Sequence, residues 1–160
     1  MRKDNDKKTG FTIIEVTLVI AVAGLIFLMV FVAVPSMQRL ARDTQRKEDV
    51  TTLMREIKDF ATNNRGVFPD LSTEAKGKAF ADKYIGNFKD PDGTDYRVQS
   101  SNGNYVYTNN ASGNKGGMDH KMHVQIGARC DGENAVKTEN PRNIAIIYRL
   151  EGSGVYCDDM

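Results

Sequence analysis

Two cysteines and two histidines in 160 residues leave little metal or redox chemistry to read, and 22 Lys plus Arg against 21 Asp plus Glu leave no excess of either sign. So few cysteines exclude a disulfide-dense miniprotein, and a hydrophobic content of 40 % excludes a disordered polyelectrolyte. A formal net charge of +1 gives no bulk reason to bind nucleic acid, because counterion release needs locally clustered Lys and Arg. No nucleophile elbow and no phosphate-binding glycine loop occurs, so an enzyme is not expected. What the chain does have is one apolar run, residues 16–34, in which Thr17 is the sole polar side chain. Wound as a helix at about 1.5 Å per residue it reaches roughly 29 Å, close to the thickness of a bilayer's hydrocarbon core. One membrane crossing is expected, and no second candidate exists.

Residues 1–10 form a short polar leader in which Arg2, Lys3, Lys7 and Lys8 face Asp4 and Asp6. A secretory signal peptide fits less well, since its apolar region is shorter and ends at a small-residue cleavage site that Pro35, Ser36 and Met37 do not supply. Counting basic residues does not orient the span, because Arg39, Arg42, Arg46 and Lys47 flank its far end as heavily as the leader flanks its near end. Glu15 is the anomaly: a carboxylate beside an apolar run is costly in lipid without a positive partner. Cleavage between Gly10 and Phe11 would create such a partner, the new α-amino group of Phe11, and two helices shifted along their axes can pair Glu15 of one with the Phe11 amine of the next. Glu15 snorkelling at the headgroups of a simple anchor is the plainer alternative.

The stretch from Lys8 through Thr9, Gly10, Phe11, Thr12, Ile13, Ile14 and Glu15 to Val16 resembles the processing site of type IV prepilins and the related pseudopilins. The resemblance covers about residues 7–36. It implies cleavage after Gly10 by a prepilin peptidase, N-methylation of Phe11 and an assembly role for Glu15. The implied partners are other pilin subunits in a homopolymer and an assembly platform in the membrane. The implied location is the cytoplasmic membrane before assembly and the cell surface after it.

Beyond Pro35, Met37, Leu40, Ala41, Val50, Leu53, Met54, Ile57, Phe60 and Ala61 recur at helical steps, and Gly66 is a reasonable stop. A helix from Phe11 to about Asn64 is expected, bent near residues 30–35 by Pro35. Residues 39–49 read as a solvated charged surface, with pairing between subunits as the sharper alternative. From residue 67 onward, turn residues punctuate short strand candidates at 96–99, 105–108, 123–128, 144–150 and 155–157, with a short helix at 76–84. Tyr105, Tyr107, Tyr148 and Tyr156 read as sheet packing.

The expected fold class is α+β: one long helix, hydrophobic and then amphipathic, laid against a small antiparallel sheet, as in the pilin head. The expected organisation is a leader at 1–10, a membrane or filament-core half-helix at 11–34, an amphipathic half at 35–66 and a globular head at 67–160. Cys130 and Cys157 lack the short spacing of zinc or redox pairs and fit one structural disulfide in an exported head, with two free buried thiols as the alternative. The resemblance adds that pilins often staple a C-terminal loop in this way.

Asp119, His120 and His123 have a spacing that can seat a metal on a helix but not on a strand. Asp90, Asp92 and Asp95 surround a Pro-Gly turn without the Glu that completes an EF-hand, and the turn alone explains them. Resemblance of this stretch to major pseudopilins implies that calcium is an option there. No cofactor or metal is expected. Without residues 1–10, which hold four basic and two acidic side chains, 18 basic and 19 acidic residues remain, and no nucleic-acid partner is expected for the subunit alone. The expected function is a prepilin that polymerises into a type IV pilus serving motility, adhesion or DNA uptake. The alternatives are a pseudopilin of a type II secretion system and a single-pass membrane-anchored binding ectodomain.

Overall fold

The computed structural model describes residues 10–100, 120–151 and 154–160. The chain divides into two units, one ending at Gln38 and one running from Arg39 to Met160. Helix α1 (Ile13–Asn63) runs without a break in its assignment through Pro35. In the first unit its side chains from Ile13 to Val34 are solvent-facing apart from a half-buried Ala23. This half of α1 is long and apolar enough to cross a membrane.

The second unit has its own core. Val50, Leu53, Met54 and Ile57 of α1 are almost completely buried, at the steps of three and four that put them on one face. Leu40 and Met37, read as part of the same stripe, are about two-thirds exposed instead. The helix ends where Arg65 and Gly66 take positive φ (57° and 85°) and the Gly66 amide donates to the Ala61 carbonyl at 2.7 Å. Such a left-handed finish satisfies carbonyls that a helix end otherwise leaves without partners.

Helix α2 (Glu74–Tyr84) starts on the Thr73 hydroxyl, which accepts from the Lys76 amide. A four-stranded sheet follows in the order β1-β2-β5-β6: β1 (Arg97–Ser100), β2 (Lys121–Ile126), β5 (Ile144–Arg149) and β6 (Val155–Asp159). The expected antiparallel sheet is in fact mixed, because β1 runs parallel to β2 while β2, β5 and β6 are antiparallel neighbours. Strands β3 (Ala128–Asp131) and β4 (Asn134–Lys137) form a separate hairpin. Gly132, at the first position of its two-residue turn, has φ 63°, the sign a tight II′ turn requires. The strand expected at 105–108, with Tyr105 and Tyr107, lies outside the described residues.

Period-two alternation on β5 builds two interfaces. Ile144, Ile146 and Tyr148 join the core made with α1 and α2, while Ala145 and Ile147 pack with Ala128, Ala135 and Val155 beneath the hairpin. The sheet is thus covered by α1 on one face and by the hairpin on the other. A disulfide between Cys130 and Cys157 fastens the hairpin to β6. It closes a loop of about 28 residues, which corresponds to roughly 3 to 4 kcal/mol in the chain-entropy treatment.

Candidate functional site

The N-terminal segment is built on a reciprocal helix cap. Thr12 precedes the first residue of α1, and the Glu15 amide donates to the Thr12 hydroxyl oxygen at 3.3 Å. In return the Glu15 carboxylate accepts from the Thr12 amide at 2.8 Å and from its hydroxyl at 2.9 Å. This is a capping box, and it satisfies donors that the first turn leaves open. Within one chain the sequence offers Glu15 no positive partner, and the structure supplies the neutral donors of Thr12. The Thr-Ile-Ile-Glu spacing ahead of an apolar run was the available signal. Gly10 and Phe11 precede the helix, and Phe11 is 88 % exposed.

The charged stretch 39–49 is the second place where the structure departs from expectation. Arg46 is 1 % exposed and Asp43 is buried, so the two are interior groups and not solvated surface. The Arg46 guanidinium grips Asp90 by two parallel hydrogen bonds of 2.8 Å, donates to Asp43 at 2.8 Å and reaches Glu151 at 3.2 Å. Arg42 takes Glu151 from the other side with bonds of 2.9 and 2.7 Å. Tyr148 and the Asp92 amide complete the shell of Asp90 at 2.8 and 3.0 Å. A guanidinium suits this role because its planar fork matches a carboxylate edge.

The cluster sets its own charge states. Burial alone would raise the Asp90 carboxyl, but the donors from Arg46, the Asp92 amide and Tyr148 outweigh it and hold the group well below the usual carboxylate range. Bonds from Arg42 first, then Arg46, lower Glu151 to about 2 against an opposing effect of desolvation. Nearby, burial pushes Asp49 up despite the 2.7 Å bond it accepts from Tyr96.

The turn at 90–95 carries the carboxylates considered for calcium, and each is engaged. Asp90 serves Arg46, Asp92 accepts from the amide and hydroxyl of Thr94, and Asp95 pairs with Lys78. Potential donor atoms of Asp90, Asp92 and His120 do fall within 4.8 Å of one another. Asp90 already accepts from Arg46 on both oxygens, from Tyr148 and from the Asp92 amide, so a cation there competes with a guanidinium for that carboxylate. His123 lies on β2 and is buried in register with Ile147, away from this trio, and Asp119 is outside the described residues.

The structure therefore places Phe11 just ahead of an apolar helix that the described residues leave uncovered and Glu15 in its first turn, and joins Cys130 to Cys157 elsewhere. A long apolar helix, a small sheet packed on the amphipathic part of that helix and a disulfide are compatible with a pilin-like fold. The chain matches no protein-family model, no curated protein and no solved structure.

Proposed function

We propose that the chain is a structural subunit, processed after Gly10, that polymerises through the first half of α1 into a type IV pilus. One observation carries this reading most: nearly every apolar side chain between Phe11 and Val34 faces outward, so that this half of the helix is left uncovered by the described residues. So large an apolar surface needs a covering phase, first lipid and then the helices of other subunits. Lipid tails are as apolar as the helix, so burial alone does not favour leaving them. Packing between helices and a charge pair of Glu15 with the Phe11 amine of a neighbour supply the difference. The capping box supports this role by keeping the carboxylate hydrogen-bonded before a neighbour arrives. The head then remains outside the core, where an oxidised Cys130–Cys157 pair fits an exported location.

The same capping box favours a second reading, a membrane-anchored ectodomain in which Glu15 only starts the helix. A pseudopilin of a secretion machine stays within the polymerising class, and the stapled C-terminal segment leans towards a pilus. Replacement of Glu15 separates these classes. Glu15→Ala is expected to leave membrane insertion unchanged and to cut filament yield at least about tenfold, on the loss of one charge pair in an apolar layer. Sheared filaments and membrane fractions, assayed by immunoblot, give the two readouts. Wild-type yield from Glu15→Ala removes the pairing, and an intact Met1 leader in native membranes, seen by N-terminal peptide mass analysis, removes the processing.

A further inference from the structure

An open groove of about 400 Å³ lies where α1 ends, floored by Phe68, Ile144 and Met160 and rimmed by Lys58, Arg65 and Arg142. Among the described residues no Asp or Glu side chain lines it, and none of the three exposed cations has an ion pair. The β3–β4 turn carries the complementary chemistry: Asp131 and Glu133 are exposed and without an ion pair among the described residues, and Val136 beside them is 48 % exposed. The nearest cation in register, Arg129, is paired instead with Asp159.

These two features cannot meet within one head. Ile144 and Met160 mark one end of the β5–β6 pair, whereas Glu133 lies against Gly154 at the other end, five residues of strand or about 17 Å away. They are also on opposite faces, because Ile144 belongs to the α1 side and the hairpin covers Ala145 and Ile147. A cationic groove and an acidic, partly apolar tip at opposite poles of one body match each other only between copies. Such a contact is heterologous: each copy offers its tip to one neighbour and its groove to another, and repetition gives an open helical array wherever the rotation between copies does not close a ring.

We infer that the groove at the C-terminal end of α1 receives the Asp131–Glu133 turn of a second copy of this chain. The inference deepens the filament reading and rests on it for the arrangement of heads. Single exposed ion pairs contribute little, so three cations around an apolar floor act together, with charge setting the choice of partner.

The full chain in its native membranes, with Thr62 in the groove replaced by photo-reactive p-benzoylphenylalanine, tests the contact. Irradiation is expected to give a dimer whose cross-linked peptide contains residues 131–136 of another copy. Glu133→Lys should lower that product several-fold, and adding Arg142→Glu should restore it. Raising salt from 0.15 to 1 M, which shortens screening from about 8 to 3 Å, should lower it as well. Filaments without this cross-link, a cross-link only to a different acidic protein, or no effect of Glu133→Lys each overturn the contact. A cross-linked dimer in membranes that form no filaments keeps the contact and overturns the polymer. Absence of both overturns both.

Discussion

Removing the Arg46 guanidinium leaves Asp90 buried with only neutral donors and a histidine near it. Breaking one side of a buried pair costs about 3 to 5 kcal/mol, mostly because the remaining charge has no compensation. Arg46→Met should therefore lower the melting temperature of the detergent-solubilised chain by about 10 °C or more. Arg46→Met with Asp90→Leu should recover much of that loss, since both charges leave together. A melting temperature for Arg46→Met within about 2 °C of wild type would contradict the assigned role. The depressed carboxyls fix the direction of pH dependence. A carboxyl held below its unfolded range binds fewer protons when folded, so its stabilisation is complete above about pH 5 and is lost as acid titrates the folded group. Asp90 and Glu151, the latter at about 2, act in this sense, and Asp49, raised by burial, acts against them. Melting temperatures should be level from about pH 7 to 5 and fall from about pH 4 downward. Arg46→Met should flatten that slope. Arg46 was hard to recognise because residues 39–49 mix charges of both signs, yet the spacing from Asp43 through Arg46 to Val50 continues the core stripe backward. A charge on a core stripe signals a buried partner, and its partners lie 44 and 105 residues away in the chain.

Helix α2 approaches β1 so closely that a Cβ on Gly77 would run into the Val98 carbonyl. Gly77→Ala gains helix propensity of about 1 kcal/mol, but forcing a helix off a strand costs about 1 to 3 kcal/mol or more, so net destabilisation is expected. Urea unfolding with an unchanged or higher midpoint would show that the helix can slide. The elements themselves were largely legible. The amphipathic stripe, the Asn-Asn-Arg-Gly end of α1 and four strands rich in β-branched and aromatic residues announce themselves locally. The hairpin did not, because Ala-Arg-Cys-Asp and Asn-Ala-Val-Lys hold only one β-branched residue between them; the Gly-Glu pair that forms their II′ turn was the missed signal. Parallel pairing of β1 with β2 was equally hidden, since it needs a long crossover and the 20 residues between Ser100 and Lys121 carry no helical period. The cap at Thr12 was legible as four residues but not as a partner for Glu15, because the groups that meet the carboxylate, an amide and a hydroxyl, carry no charge.

At the scale of the whole molecule, the division of labour follows from where apolar side chains go. From Val50 onward most of the described apolar side chains are drawn into two clusters around the sheet, and Asp43 to Glu151 close the polar gap between α1, β5 and the turn at 90–95. Before Gln38 they face outward along one helix. The residues that fold the head are therefore separate from those that need lipid or other helices. A chain beginning at Arg39 should be soluble without detergent and melt within a few degrees of the full chain, because every buried side chain of the described core remains. It should also form no filaments, having lost Phe11, Glu15 and the apolar half of α1. Size-exclusion chromatography without detergent and thermal unfolding by circular dichroism provide the check. Aggregation, or a loss of more than about 10 °C, would mean that the head draws stability from the first half of α1. Cooperative unfolding at the full-chain temperature would place head stability and assembly on separate stretches of the chain, so that each can be altered without the other.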